Sequence, residues 1–254
     1  MKVWQDRVAL VTGAAHGIGA EICRQLARQG GHVVAVDRDP KVKTVAESIQ
    51  AAGGRADGEI LDLMDPAAIA DLFSTIAERM KRLDILVNNA ARQTWDSITE
   101  LSLEEWDRVQ AVCLRAPFLT MKHAIPLMQR QHAGIIINIA SIHAIVGYHQ
   151  SPAYDSAKAG LVALTRQAAV DYSADGIRTV SISPALVVEK APPDYPENGM
   201  FPVGRAGTPA DIAALVGFLC TDQAGFINGT NLVVDGGLSA VSPAVYWREG
   251  APRS

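Results

Sequence analysis

The stretch Val8-Ala9-Leu10-Val11-Thr12-Gly13-Ala14-Ala15-His16-Gly17-Ile18-Gly19 decides the fold. An unbroken apolar run, Val8–Val11, leads into a loop with glycines at 13, 17 and 19, and a helical pattern starts near Ile18. An apolar run without polar alternation reads as a strand buried on both faces. The glycines permit a tight turn and let the backbone approach a ligand closely. The helix behind them aims its N-terminus, the positive end of its dipole, into the loop, which suits a pyrophosphate. The spacing is Gly-x-x-x-Gly-x-Gly, not the Gly-x-Gly-x-x-Gly of the common dinucleotide fingerprint, but the mechanics match. The plainer alternative is a glycine-rich strand–helix turn with no ligand.

Working outward, apolar runs alternate with helix-period segments almost to the end. Strands are expected at Val8–Val11, His32–Val36, Arg55–Leu61, Ile85–Asn88, Gly134–Ile139, Thr179–Ser183 and Asn231–Val234, with helices between them. This alternation predicts an α/β fold: a Rossmann-like doubly wound parallel sheet of seven strands with helices on both faces. No linker or repeat interrupts it, so residues 1–254 are expected to form one domain. The segment Ala185–Thr208, with Pro192, Pro193, Pro196 and Pro202, is long and irregular, as a substrate lid would be. The tail over 240–254 is also irregular, and Tyr246 and Trp247 in it suggest packing.

Composition removes several classes of function. The chain has 254 residues, 48% hydrophobic and 20% charged, in the globular range. A net charge of −4 and the lack of a basic stripe argue against nucleic acid as a partner. No stretch is long enough to span a bilayer, and the N-terminal MKVWQDR has no apolar signal core. Cys23, Cys113 and Cys220 lie far apart without metal-type spacing, so neither a metal nor disulfides are expected and a reducing cytoplasm fits.

Ligands of open parallel sheets bind beyond the carboxyl ends of the strands, and the polar motifs collect there. Asp37 ends the second strand, where a carboxylate can accept from the ribose hydroxyls of a dinucleotide. That charge would repel a 2′-phosphate and favours NAD over NADP, although Arg38 beside it could hold such a phosphate. His16 in the glycine loop carries no fixed charge at neutral pH. Asp62-Leu63 follows the third strand and Asn88-Asn89-Ala90-Ala91 the fourth; turn formation is the competing explanation for each.

The fifth strand leads to Ser141, and a helix expected over Ala153–Ala169 places Tyr154 and Lys158 one turn apart on one face. A free phenol ionises near pH ~10, so it needs a neighbouring cation to exchange protons near neutrality. The lysine supplies that cation, and the serine hydroxyl can bond the same substrate oxygen. A lone Tyr-x-x-x-Lys pair is weak evidence, and its weight comes from the motifs around it.

Together these residues resemble the short-chain dehydrogenase/reductase family, over Val8 to Gly237. The match is carried by Thr12-Gly13-x-x-x-Gly17-x-Gly19, Asp62, Asn88-Asn89-Ala90, Ser141, Tyr154-x-x-x-Lys158, Pro184 and Asp235-Gly236-Gly237. The resemblance implies an NAD(P)-dependent oxidoreductase acting on CH–OH groups, with Tyr154 as acid/base, Lys158 supporting it and holding the nicotinamide ribose, and Ser141 polarising the substrate oxygen. It implies a cofactor site at Gly13, His16, Gly17, Ile18, Gly19, Asp37, Arg38, Asp62, Leu63, Asn89, Ala90, Tyr154, Lys158, Pro184 and Val187. It also implies a homotetramer, a dimer of dimers, built on the helices after the fourth and fifth strands and on Leu215–Leu219 with the last strand.

Four positions depart from the pattern. Val112-Cys113-Leu114 stands where the family has an asparagine that helps hold a relay water. Ala185 follows Pro184 in place of a glycine, Glu189 falls where a threonine often meets the carboxamide, and Ala91 closes the Asn-Asn-Ala motif. The loops expected at the pocket carry Arg92, Gln93, Trp95, His143, His149, Gln150, Glu189 and Lys190. Of these Gln93, His143, Gln150 and Glu189 are the substrate candidates. So polar a set suits a hydroxylated secondary alcohol such as a sugar or polyol. Trp95 and Trp106 are expected to be packing residues. The competing readings are an NADPH-dependent 3-oxoacyl-thioester reductase, against which Asp37 and the acidic balance argue, and a nucleotide-binding regulator that has lost catalysis.

Overall fold

In the computed structural model, which describes residues 4–189 and 201–242, the glycine-loop strand lies at the centre of the sheet. The strands are β1 (Val8–Thr12), β2 (His32–Asp37), β3 (Arg55–Ile60), β4 (Ile85–Asn88), β5 (Gly134–Ile139), β6 (Ile177–Pro184) and β7 (Asn231–Val234). Their order is β3-β2-β1-β4-β5-β6-β7, and every neighbouring pair is parallel. The chain runs outward to β3, returns to β4 beside β1, and then runs to the other edge. The reversal leaves a crevice beyond the ends of β1 and β4, the place where open sheets of this kind take ligands.

Among the described residues seven helices connect the strands: α1 (Gly17–Arg28), α2 (Lys41–Ala51), α3 (Pro66–Arg79), α4 (Leu103–Gln110), α5 (Ala116–Gln131), α6 (Pro152–Tyr172) and α7 (Pro209–Leu219). Their starts follow local chemistry. Asp65 accepts from the N–H groups of Ala67 and Ala68 ahead of Pro66, and Ser102 accepts from that of Glu105. Thr208 and Asp211 form a reciprocal capping box before α7. Successive side chains of β1 point to opposite faces. Ala9 and Val11 join the core under α1, α2 and α7, and Val8 and Leu10 join the core under α3, α5 and α6. Burial on both faces is why this strand shows no polar alternation.

All seven expected strands are present, with four changes of extent: β1 and β2 each run one residue further, to Thr12 and Asp37, and β3 and β6 differ as well. β3 stops at Ile60, although the Leu61 N–H still reaches the Asp37 carbonyl at 2.9 Å. β6 is longer than expected because Arg178, which breaks the apolar run, belongs to it. Its guanidinium reaches the carbonyls of Leu219 at 2.6 Å and Ile227 at 3.2 Å. The helix carrying Tyr154 runs from Pro152 to Tyr172, past both ends of the expected span.

Two features have no counterpart in the sequence reading. A five-residue π-turn, Ala111–Arg115, joins α4 to α5 and contains Cys113. Beneath the crevice a buried polar chain crosses the core: the Thr120 hydroxyl donates to Asn88 (2.6 Å), Asn88 to Asn138 (2.8 Å) and Asn138 to Thr165 (2.9 Å). It ties α5, β4, β5 and α6 together with each amide partnered.

The described stems of the expected lid, 185–189 and 201–208, are joined: Val188 N–H bonds Gly207 O (3.0 Å) and Gly207 N–H bonds Leu186 O (3.1 Å). Lys190, Pro192, Pro193, Pro196, Tyr246 and Trp247 lie outside the described residues. Among the described residues no helix is long and apolar enough to cross a membrane, and all three cysteines are free and buried.

Candidate active site

The glycine turn is held shut by Asn89. Its Nδ2 donates to the carbonyls of Thr12 and Gly13, each at 3.0 Å, and the Thr12 hydroxyl accepts from the N–H groups of Asn89 (3.0 Å) and Ala90 (3.2 Å). The ends of β1 and β4 are thereby sewn together. Gly19 faces this knot, and a Cβ there would lie 2.1 Å from the Gly13 carbonyl oxygen. Gly17 differs: at φ +52° a Cβ would meet nothing within 4 Å. The backbone at the head of α1 thus faces open space with its first N–H groups unclaimed by the helix, the form of an anion cradle.

The chain places an anion of its own there. The Glu189 carboxylate accepts from the Gly17 N–H at 2.8 Å. Glu189 was expected to face carboxamide or substrate; its charge instead finds the positive end of α1.

Asp37 ends β2 and accepts from the N–H groups of Ala15 and Asp39, both at 3.0 Å. Each carboxylate oxygen keeps a further lone pair for a ribose hydroxyl. With Gly13, Arg38, Asp62, Leu63 and Ala90 it lines a cavity of about 310 Å³. Asp62 uses one oxygen to cap its own turn through the Met64 N–H at 2.9 Å. Arg38 is exposed beside Asp37. His16 turns to the surface, where it bonds Asp39 at 2.8 Å. The Lys41 N–H first, and His16 second, hold the Asp39 carboxyl below its usual value. A carboxylate lining this cavity beside the anion-binding head of α1 fits a dinucleotide.

Ser141 follows β5 in extended backbone and is 8% exposed; its Oγ accepts from the His143 N–H at 3.2 Å. Tyr154 sits in the first turn of α6 over a small apolar cluster of Val109, Cys113, Ala153 and Ala157, with Trp106 at its side. Lys158 is 1% exposed. Its Nζ donates to the Ile139 carbonyl at 2.6 Å and lies 5.4 Å from the centre of the Tyr154 ring. A buried ammonium is costly unless partnered, and one carbonyl satisfies only one of its three hydrogens.

The thiol of Cys113 bonds both ways to the backbone of Arg92. It accepts from the N–H and donates to the carbonyl, each at 3.3 Å. It thus fixes the loop after β4 to the π-turn, an anchoring task that a side chain able both to donate and to accept can perform. Ala185 donates its N–H to Val234 and has no positive φ, so its backbone does not require a glycine.

On the substrate side the four candidates separate. Gln93 lines the same cavity as Asp37 and Asp62. Gln150 is exposed, in left-handed backbone at φ +57°. Only His143 meets Tyr154, edge-on with ring centres 5.2 Å apart. Its Nδ1 bonds Asp155 at 2.5 Å, and its ring stacks on Tyr148 at 3.7 Å. Trp95 is 58% exposed, with its ring 6.2 Å from that of His143, so it is not the packing residue expected; Trp106 is. The sequence reading singled out neither Asp155 nor Tyr148. A histidine and an acid across a loop share no periodicity, and only the adjacency of Asp155 to Tyr154 hinted at a role.

Known proteins resemble this chain over nearly its whole length. A family described as enoyl-(acyl carrier protein) reductase matches residues 13–239. The chain is 34% identical over 244 residues to meso-2,3-butanediol dehydrogenase of Serratia marcescens, covering 93% of this chain and 96% of that one. It is 38% identical over 247 residues to cis-4-hydroxycyclohexanecarboxylate dehydrogenase of Sinomonas cyclohexanicum, covering 94% and 99%. A solved structure of a candidate NAD(P)-dependent gluconate 5-dehydrogenase from Beutenbergia cavernae, with NADP at low occupancy, superposes with a TM-score of 0.88 at 33% identity, covering 94% and 99%.

Proposed function

This chain belongs to the short-chain dehydrogenase/reductase family, and from that premise we propose that Tyr154 is the acid/base of an NAD-dependent dehydrogenase of secondary alcohols. The protein is an NAD(P)-dependent oxidoreductase acting on CH–OH groups. The assignment of roles to residues is our reading. Its main support is the position of Lys158, buried, held by Ile139 and one helical turn from the phenol it flanks.

In that reading the bound nicotinamide supplies the hydride acceptor. Tyr154 takes the hydroxyl proton as the carbinol carbon becomes a carbonyl. Lys158 favours the charged phenolate electrostatically, and its remaining N–H groups would hold the nicotinamide ribose. Ser141 donates its hydroxyl hydrogen to the same substrate oxygen, opposing charge build-up there. In the reductive direction each transfer reverses. The chain's contribution is position and charge. Replacement of Tyr154 by Phe tests the assignment: the ring stays and the proton carrier goes.

The preference for NAD over NADP rests on Asp37, which lines the cavity beside the glycine loop and whose charge would repel a 2′-phosphate. In this account Gly13, Gly17, Ile18, Gly19, Asn89 and Ala90 belong to the same cofactor site, and Pro184 and Val187 are further contacts of it. Gln93 and Gln150 are further contacts in this account.

For assembly we propose a homotetramer. Phe118 on α5 is 48% exposed beside Leu114 and Leu164, a groove with an almost wholly apolar lining. Elsewhere Phe218, Phe226 and Val233 are exposed around α7 and β7. Two separate apolar faces suit a dimer of dimers. Light scattering of the eluted protein tests this.

A further inference from the structure

We infer that His143, fixed by Asp155, is a specificity-determining residue that accepts a hydrogen bond from a second hydroxyl of the substrate, so that the preferred substrate is a compact diol. This rests on the secondary-alcohol reading above and refines it.

The tautomer carries the argument. The Asp155 carboxylate has no hydrogen to give, so at 2.5 Å the hydrogen lies on His143 Nδ1. A neutral imidazole has one N–H, which leaves Nε2 as a lone-pair acceptor. Asp155 also accepts from the Tyr148 N–H at 2.9 Å, and the Tyr148 ring covers a face of the imidazole at 3.7 Å. Turning the ring over would keep this stacking but break the bond to Asp155. Among the described residues no group bonds Nε2.

Exposed apolar side chains lie on the same loop, next to the polar His149 and Gln150. The loop that carries His143 also exposes Ile145 (49%), Val146 (40%) and Tyr148 (38%), and Trp95 (58%) stands against the imidazole. A substrate whose body touches these groups finds one acceptor a few ångströms from Tyr154. A hydroxyl satisfies it. A carboxylate would bring lone pairs against a lone pair, with the charge of Asp155 behind it. A mono-alcohol would strip Nε2 of water and return nothing.

The experiment is steady-state oxidation by the full chain with NAD of substrates matched in skeleton: 2,3-butanediol, 2-butanol and 3-hydroxybutanoate, then 1,2-cyclohexanediol, cyclohexanol and 4-hydroxycyclohexanecarboxylate. We expect kcat/KM for at least one diol to exceed its mono-alcohol by about 10- to 100-fold, the range for leaving one buried acceptor unpaired. In His143→Phe, which keeps a ring to stack, that ratio falls to within about 3-fold of unity through a rise in diol KM that outweighs any change in kcat. If this variant no longer binds NADH, Asp155→Asn, which releases the tautomer, lowers the ratio instead. A wild-type ratio near unity, a ratio retained in the variants, or preference for a hydroxy acid overturns the inference and leaves the dehydrogenase reading intact. Failure of Tyr154-dependent oxidation across all six overturns both.

Discussion

The Glu189 carboxylate accepts a hydrogen bond from the backbone N–H of Gly17, 2.8 Å away, at the head of α1. The side chain that departs from the family pattern therefore sits on the group expected to meet pyrophosphate. Two anions cannot share one helix N-terminus, so in our account Glu189 leaves when cofactor binds. Its interaction with the helix end, about 0.3–1 kcal/mol, is then lost on binding. Glu189→Ala should bind NADH about 2- to 5-fold more tightly, read by fluorescence titration. Weaker binding would instead make Glu189 a cofactor contact.

Asp37 carries two tasks, supporting the glycine loop through Ala15 and presenting charge to the ribose cavity. Asp37→Ser, with Arg38 kept, should lose more than about 10-fold in kcat/KM for NAD relative to NADP, the scale of one charge-assisted bond. An unchanged cofactor ratio would remove Asp37 from the selectivity account.

The thiol of Cys113 satisfies both backbone groups of Arg92. Cys113→Ala leaves both without a partner and should cost about 1–3 kcal/mol, visible as a fall in melting temperature of about 2–4 °C per kcal/mol. Cys113→Asn restores a donor and an acceptor and should recover turnover better than Ala. Equal activity in Ala and Asn variants would show that the bridge does not matter to catalysis.

Arg205 forks onto the Asp211 carboxylate at 2.7 and 2.8 Å, and with Thr208 holds that carboxyl well below the usual carboxylate range. Its folded value lies under its unfolded one. Its contribution to stability is therefore complete above about pH 4 and drains away as pH falls further. Asp211→Asn should cost about 1 kcal/mol at pH 7, as loss of a helix cap does, and flatten the acid limb of a pH series of melting temperatures. An acid limb as steep as wild type would assign that limb to other carboxylates.

Much of the architecture was legible in the sequence for a simple reason. Strands buried on both faces are mostly apolar runs, broken in Ile85–Asn88 and Gly134–Ile139 only by the mutually bonded Asn88 and Asn138, and these with Val8–Val11 have no helical competitor. The polar residues at the strand ends were legible because sheet topology collects them in one crevice whatever their sequence distance. Extents failed where a long side chain escaped sideways, as Arg178 does to reach Leu219. Side-chain partners across loops were not legible. Nothing in the spacing pairs His143 with Asp155, sends Glu189 to Gly17, or gives Cys113 the backbone of Arg92. Loop composition did not show which polar residues stand together: Gln93 lines the cavity of Asp37, Gln150 is exposed, and His143 stands beside Tyr154 with Trp95 and Tyr148 against its ring.

The central claim is that Tyr154, flanked by Lys158, moves the substrate proton. The most direct measurement is NAD reduction by wild type and Tyr154→Phe across secondary alcohols, with NADH binding measured on both. The account predicts wild-type turnover and a loss of about 100-fold or more in Tyr154→Phe, the scale of general acid/base catalysis, with NADH affinity little changed. Full turnover by Tyr154→Phe would contradict it.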